Sequence, residues 1–295
     1  MSAPEAVQHG AYGPPPRAAT ARTVPVGAAS RGALGALAWA VLASTVHRLR
    51  RGEGALLAVN LSLIVHRGGS LSRAVAQAVV SGLAILVMYA FNDLYDAPTD
   101  WNNPKKDRAL IAAYLEHRRQ GVVAAALLKL LTLGVAYATL GAAATVAVGG
   151  VMIVNVVYSM VLKGVPVVDL AWVWLWGTLY AAIVGASTSL LVLVGLMTAI
   201  CHLFQALGDR GPDAANGIRT TAVRSAVLSR NVLVVLSLLL FANLQPLIGA
   251  ALALTAFTPL AIFLLLDDAD TGWLLTKAYF GVLWLCLLGV AGAMG

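Results

Sequence analysis

Charged side chains are scarce in this chain. Asp, Glu, Lys and Arg make up 11% of its 295 residues, whereas 60% are hydrophobic, and the mean hydropathy is +0.83. A soluble domain carries about 25% charged residues, because its surface must be hydrated. The composition therefore excludes an ordinary soluble domain and predicts a polytopic membrane protein.

Cysteine is also rare, with two residues, Cys201 and Cys286. Both fall inside apolar segments, where a thiol behaves as a small hydrophobic side chain. This placement excludes a disulfide framework, and it gives no indication of cysteine-based metal or redox chemistry.

Long apolar segments fill most of the chain. A helix needs about 20 apolar residues to cross a hydrocarbon core of about 30 Å. The sequence predicts about nine such helices, the first of them short, at 54–67, 72–92, 119–141, 142–162, 167–186, 187–208, 228–247, 248–266 and 273–294. We therefore expect an all-α polytopic membrane protein in which residues 33–295 form a single helical domain.

Two segments precede the first predicted span. Residues 1–32 are rich in Ala, Pro, Gly and Arg and show no apolar periodicity, which predicts a disordered tail. Residues 33–51 are apolar but short and end in a basic cluster, which predicts an interfacial helix along the membrane surface. An additional span is the alternative for this segment.

The distribution of basic residues predicts the orientation in the membrane. The formal net charge is +7, but the basic residues concentrate in loops that lie on one side of the predicted spans. They are Arg48, Arg50 and Arg51, then Lys105, Lys106, Arg108, Arg118 and Arg119, then Lys163, and finally Arg210, Arg219, Arg224 and Arg230. By the positive-inside rule, these loops and the N-terminus face the cytoplasm of a bacterial-type plasma membrane, and the C-terminus is outside. The charge therefore indicates contact with membrane lipid and no nucleic-acid partner.

Acidic residues cluster at the ends of two predicted spans. Asp93, Asp96 and Asp100 are spaced i, i+3 and i+7, and Asp209 and Asp213 are spaced i and i+4, so each set shares one helix face. The two clusters hold five of the 13 acidic residues of the chain. Carboxylates at a membrane boundary repel one another and are costly to desolvate, unless a cation bridges them. Oxygen ligands of this kind suit Mg²⁺ carrying a diphosphate.

The motifs resemble those of the UbiA-type family of intramembrane prenyltransferases, which includes membrane terpene cyclases. The family motif Asn-Asp-x-x-Asp-x-x-x-Asp is matched by Asn92, Asp93, Asp96 and Asp100, and its Asp-x-x-x-Asp motif by Asp209 and Asp213. The stretch 217–222, Gly-Ile-Arg-Thr-Thr-Ala, and the stretch from Tyr158 to Lys163 are also similar to the family. One departure is that Arg108 is followed by Ala109, where the family commonly has Arg-Pro.

The resemblance implies a bundle of about nine transmembrane helices around a central cavity. It also implies an enzyme that ionises an isoprenoid diphosphate with two bound Mg²⁺ ions. The implied metal ligands are Asp93, Asp96, Asp100, Asp209 and Asp213. Lys163, Arg108, Lys106 and Arg219 are implied to neutralise the diphosphate, with Asn92 and Tyr158 also in the substrate site. Two reactions remain open, which are prenyl transfer to a small acceptor, such as an aromatic compound, and cyclisation without an acceptor. Arg108-Ala109 mildly favours the second, and a non-enzymatic cation transporter is a minor alternative.

Further polar residues share faces with the acidic motifs. His202 and Gln205 precede Asp209 by seven and four residues, and Tyr89 precedes Asp93 by four. Polar groups inside a membrane should face the bundle interior. We therefore include His202, Gln205, Tyr89 and Asn155 as candidate substrate-binding residues. For His202 and Gln205 the alternative is interhelical hydrogen bonding that only holds the bundle together, and for Tyr89 it is interfacial packing.

Overall fold

The computed structural model describes residues 32–50, 53–101, 103 and 106–294, and the described residues contain no β-strand. The helices are α1 (Ala33–Arg50), α2 (Ala55–Arg67), α3 (Leu71–Asp100), α4 (Arg108–Glu116), α5 (Arg118–Leu140), α6 (Ala142–Val157), α7 (Val168–Ala182), α8 (Thr188–Gly208), α9 (Arg210–Ala215), α10 (Thr221–Arg224), α11 (Ala226–Ala253), α12 (Thr258–Leu265) and α13 (Ala269–Met294). The predicted all-α fold is confirmed. The predicted N-terminal tail, apart from Gly32, lies outside the described residues.

Six helical segments in the described ranges are long and apolar enough to cross a membrane. They are Leu71–Asp100, Arg118–Leu140, Ala142–Leu162, Thr188–Gly208, Ala226–Leu265 and Ala269–Val290. The protein is therefore a multi-pass membrane protein, but the predicted count of nine spans is not confirmed. The first predicted span is α2, which has only 13 residues, and the fifth corresponds to α7, which has 15.

The longest of these segments, Ala226–Leu265, is not one straight helix. Its backbone leaves the helical conformation at Gly249, where φ is 78°, a value that glycine adopts without a Cβ penalty. The rings of Phe241 and Phe257 lie 6.1 Å apart, although 16 residues of continuous helix would separate them by about 24 Å. The chain therefore folds back, close to the predicted boundary between the segments 228–247 and 248–266.

Buried hydrogen bonds join the helices where the apolar core surrounds them. The side-chain amide of Asn60 in α2 donates to Ser81 Oγ and to the carbonyl of Tyr180, both at 3.0 Å. The hydroxyl of Tyr180 in turn donates to the carbonyl of Ser81 at 2.9 Å. All three residues are fully buried, so this network fixes α2, α3 and α7 relative to one another.

Helix α1 is present where the sequence predicts an interfacial helix, and it packs on the rest of the protein. Leu37 and Ala40 join Leu94 of α3 and Ile111 and Tyr114 of α4 in one buried cluster. Other apolar side chains of α1, including Leu42 at 63% exposure, face outward. The helix therefore has one face on the protein and another available to the membrane surface.

Asn60→Leu should lower the stability of the protein, because it removes both amide hydrogen bonds and takes away a buried partner of Ser81 Oγ. Hydrogen bonds between membrane helices contribute about 0.6–2 kcal/mol, so we expect the melting temperature in detergent to fall by a few degrees. Asn243→Leu is the matched control, because its amide donates to Leu239 one turn earlier in the same helix. Equal melting temperatures for the two variants would contradict the role assigned to Asn60.

Candidate active site

A cavity of about 790 Å³ lies within the helix bundle. One end is polar and is formed by the C-terminal ends of α3 and α8 and by the turn that follows α6. The other walls are largely apolar and come from α2, α7, α8 and α13. The cavity can therefore hold a ligand with a charged head and a long apolar tail.

The first acidic motif forms part of the polar end. Asp96 and Asp100 both line the cavity. Asp96 accepts a hydrogen bond from Lys163 Nζ at 2.8 Å, and Asp100 forms an ion pair with Lys106 at 3.1 Å. Helix α3 continues through Pro98 to Asp100, so the residues of this motif are spaced along one helix.

Asn92 fixes α3 against the end of α6. Its side-chain oxygen accepts hydrogen bonds from Asn155 Nδ2 at 2.8 Å and from Ser159 Oγ at 2.7 Å. Both Asn92 and Asn155 line the cavity. Asn155 therefore lines the cavity and also forms an interhelical hydrogen bond.

A single π-helical turn, Tyr158–Leu162, follows α6 and orients two of the candidate residues. The amide of Lys163 donates to the carbonyl of Tyr158 at 2.9 Å, which is the i to i+5 bond of a π-helix. In a regular α-helix, side chains five residues apart point about 140° away from each other. Because a π-turn is wider, Tyr158 and Lys163 both reach the cavity.

The second acidic motif closes the same end. Asp209 caps α8, and the amide of Asp213 donates to its carbonyl at 2.9 Å. Both carboxylates line the cavity. The side-chain amide of Asn216 donates to the carbonyl of Thr99 at 3.2 Å, so the loop after the second motif is held against the end of α3.

The charges of these groups are strongly coupled. Burial raises the pKa of Asp213 to about 6; Asp209 and Asp96 raise it too, although Lys163 opposes the shift. Burial alone would lower the pKa of Lys163, but Asp96 overcomes this and raises it. Lys163 is therefore a charged ammonium. Its positive charge is not enough to offset the effect of burial and of the neighbouring carboxylates on Asp213, so the pKa of Asp213 stays raised. A cation at this end of the cavity would stabilise its ionised form.

The carboxylates suit Mg²⁺ when it also binds a substrate. Among the described residues, no three His, Cys, Asp or Glu side chains come together closely enough to hold one ion by themselves. Mg²⁺ commonly takes one or two carboxylates and completes its octahedron with phosphate oxygens and water. Two pairs, Asp96 with Asp100 and Asp209 with Asp213, therefore fit ions that a diphosphate helps to bind.

Other predicted polar residues also line the cavity. His202 and Gln205 do so from α8, and Tyr89 from α3. The hydroxyl of Tyr158 and Nε2 of His202 are 2.9 Å apart in a hydrogen bond, with the two rings nearly perpendicular. His202 and Tyr158 therefore form a hydrogen-bonded polar pair in the cavity wall.

Three predicted residues are placed elsewhere. Arg108 begins α4, is exposed, and does not line the cavity; Arg219 is likewise exposed and outside it. Asp93 also does not line the cavity. One of its carboxylate oxygens accepts from Arg48 and the other from Ser44, both in α1.

The sequence analysis did not identify several residues that lie at the site. Arg48 and Glu53 line the cavity and form an ion pair at 2.5 Å. Burial alone would lower the pKa of Arg48. The nearby carboxylates of Asp93 and Glu53 raise the pKa by more than burial lowers it, so the net shift is upward. Lys277 of α13 also lines the cavity, with its ammonium 3.1 Å from the centre of the Trp273 ring. A lone lysine within an apolar segment is the sequence signal that could have identified Lys277.

Asp169 is a further residue that the sequence analysis did not identify, and it supports the stretch that follows the second motif. It is fully buried at the start of α7. Its carboxylate accepts hydrogen bonds from the amide of Thr221 at 2.8 Å and from the Thr221 hydroxyl at 2.5 Å. That hydroxyl also accepts from the amide of Val167 at 2.7 Å. The network holds the Gly-Ile-Arg-Thr-Thr-Ala stretch in place beside the cavity.

Comparison with known proteins identifies the family. The profile of the UbiA prenyltransferase family matches residues 54–273. The chain belongs to the UbiA prenyltransferase family. The resemblance that the motifs carry is therefore confirmed. Among curated proteins, none matches the chain.

Solved structures of UbiA homologues share the fold. The structure of a homologue from Archaeoglobus fulgidus bound to GPP and Mg²⁺ has a TM-score of 0.56 at 17% identity and covers 81% of this chain and 98% of its own. Its complex with DMAPP and Mg²⁺ gives 0.53 at 21% identity, covering 81% and 97%. A Cd²⁺-bound structure gives 0.57 at 18% identity, covering 82% and 96%.

Asp169→Ala should loosen the second motif while leaving the bundle inserted in the membrane. It strands the buried amide and hydroxyl of Thr221, and each lost hydrogen bond to a charged group costs about 1.5–3 kcal/mol. We expect a lower melting temperature and faster proteolytic cleavage between residues 209 and 225.

Asp107→Ala is the control for this variant. Asp107 is exposed and caps α4 through the amide of Ala109 at 2.8 Å, and loss of such a cap costs about 1 kcal/mol. Cleavage of the 209–225 region at the same rate in both variants would contradict the supporting role of Asp169.

Proposed function

We propose that this protein is a Mg²⁺-dependent intramembrane prenyltransferase that ionises an isoprenoid diphosphate and transfers its prenyl group to a small acceptor. The observation that carries the proposal is the cavity itself. Acidic pairs and two lysines occupy one end, and apolar and aromatic walls form the remainder. Membership of the UbiA family and the GPP and DMAPP complexes of the Archaeoglobus homologue support an isoprenoid diphosphate as the substrate.

Asp96, Asp100, Asp209 and Asp213 would hold the metal, and their arrangement as two pairs supports the proposal of two ions. Bound Mg²⁺ supplies Lewis-acid stabilisation of the charge that develops on the leaving diphosphate. Lys163 and Lys106 are placed to bind the same oxygens, because each already contacts one of these carboxylates. The carboxylates thus position both lysines before the substrate arrives.

The reaction begins with cleavage of the allylic C–O bond. Both electrons of this bond leave with the diphosphate, and an allylic carbocation remains in the apolar part of the cavity. Lys163 stabilises the departing anion in a site with little water, where its charge acts strongly. An electron-rich acceptor then forms the new bond to the cation and loses a proton.

Aromatic side chains also line the cavity, among them Trp172 and Trp176. Trp172 and Trp176 are fixed by their indole N–H groups, which donate to the carbonyl of Val154 at 2.8 Å and to Met88 Sδ at 2.7 Å. Their π-systems can stabilise a nearby cation. This lining supports a second candidate function, terpene cyclisation, in which a double bond of the same prenyl chain captures the cation. It also suits a carbocation better than a transported metal ion.

We propose that the acidic end of the cavity faces the cytoplasm. The charged residues next to it, Lys106 and Lys163, belong to the basic loops that predict this orientation. Water-soluble acceptors and released diphosphate would then exchange on that side, while the prenyl chain enters from the bilayer.

Asp96→Asn and Asp209→Asn should each lower the rate of diphosphate release from a C10, C15 or C20 isoprenoid diphosphate by about 10²-fold or more, because each removes a negative ligand that would hold the Mg²⁺ ion on the leaving diphosphate. Asp267→Asn is the control, because Asp267 is exposed in the loop before α13. Diphosphate release is measured in detergent with Mg²⁺ and with a hydroxylated aromatic acceptor supplied. Wild-type rates in both site variants would contradict the proposed function.

The products separate the two candidate reactions. We expect wild-type protein to release diphosphate only when an acceptor, such as a hydroxylated aromatic compound, is supplied. Products are extracted and identified by gas chromatography and mass spectrometry. A cyclic terpene formed without acceptor, and lost in Asp96→Asn, would replace prenyl transfer by cyclisation.

A further inference from the structure

Helix α1 contributes a cation to the polar end of the cavity. Its Arg48 lines the cavity together with Glu53 and Tyr89. Both Arg48 and Glu53 precede residue 54, where the match to the family profile begins. The position of Arg48 is set by the packing of α1, because Leu37 and Ala40 are buried against α3 and α4.

Both oxygens of the Asp93 carboxylate are hydrogen-bonded to this helix. Oδ1 accepts from the Arg48 guanidinium, and Oδ2 accepts from the Ser44 hydroxyl. The side chain of Asp93 is 12% exposed, compared with 21% for Asp96. A metal ion at Asp93 would have to displace a permanent cation from a site that is already largely desolvated, which is unfavourable. Asp96 instead faces the cavity.

Three neighbours fix the guanidinium of Arg48. Asp93 binds one terminal nitrogen, and Glu53 binds the other at 2.5 Å. The ring of Tyr89 lies against it, with the centroid 4.7 Å from the guanidinium carbon. A guanidinium carries five N–H donors in a rigid plane, so a group held in this way still has N–H donors for phosphate oxygens.

We propose that Asp93 is a positioning residue that holds Arg48 at the cavity wall, and that Arg48 binds the diphosphate of the substrate. On this assignment the metal belongs to Asp96, Asp100, Asp209 and Asp213, and the first carboxylate of the motif acts through Arg48. Helix α1 then completes the diphosphate site. The inference rests on the proposed function for the identity of the substrate, but not for its test.

The test is binding of inorganic diphosphate by the full-length protein in detergent, measured calorimetrically over a series of Mg²⁺ concentrations. This yields the diphosphate affinity at saturating Mg²⁺ and the Mg²⁺ concentration for half-maximal binding. Asp93→Asn and Arg48→Gln should each weaken diphosphate binding by about tenfold, the effect of one charge-assisted hydrogen bond. Neither should change the Mg²⁺ midpoint by more than about twofold, whereas loss of a metal ligand in Asp96→Asn should raise it by about tenfold or more.

The double variant and a matched control complete the design. Arg48→Gln with Asp93→Asn should bind diphosphate as Arg48→Gln alone does, because Asp93 acts only through Arg48. Arg50→Gln, an exposed residue of the same helix turn, should bind as wild type does. If Arg48→Gln does not fold, Arg48→Lys replaces it and should also bind diphosphate more weakly, because a lysine cannot make the same forked contact.

Two results would overturn the inference. One is an increase in the Mg²⁺ midpoint for Asp93→Asn as large as that for Asp96→Asn, which would make Asp93 a metal ligand. The other is unchanged diphosphate affinity in the Arg48 variants, or no diphosphate binding by wild type. If wild type binds Mg²⁺ and diphosphate as expected but cleaves no prenyl diphosphate, the proposed function fails and the inference stands.

Discussion

The polar end of the cavity depends on the mutual repulsion of carboxylates in a place where water is scarce. Asp96, Asp100, Asp209 and Asp213 share this space with Lys163 and Lys106, so negative charge exceeds positive charge among these groups. The raised pKa of Asp213 is the local consequence of burial among other acids. Such a site is favourable when a divalent cation and a polyanion enter together, because each offsets the charge of the other.

The remaining structure keeps these groups close together. Asn92 joins α3 to the end of α6, Asn216 joins the second motif to the end of α3, and Asp169 holds the stretch that follows. These contacts are hydrogen bonds in largely buried surroundings, where an unpaired group would be costly. On the proposed function, the apolar cavity beyond them would separate the site of ionisation from water, where the carbocation meets an acceptor or its own chain.

Much of the fold and part of the candidate site can be predicted from the sequence, because the length of apolar segments and the helical spacing of residues are local properties. The helices, the shared face of Asp96 and Asp100, and the cavity-lining positions of His202 and Gln205 were predicted in this way. Spacing gives the direction of a side chain but not its neighbour. Asp93 belongs to the same helix as Asp96, and yet α1 supplies Arg48 and Ser44 to it. The π-turn that brings Tyr158 and Lys163 together departs from regular helix geometry and was likewise not predictable from spacing.

The central claim is that the cavity binds an isoprenoid diphosphate through a metal held by the two acidic pairs. The most direct measurement is calorimetric binding of a non-ionising analogue, geranyl thiolodiphosphate, to the protein in detergent with and without Mg²⁺. The account predicts binding that requires Mg²⁺ and that saturates. Equal affinity in Mg²⁺ and in a chelator, or no binding under either condition, would contradict it.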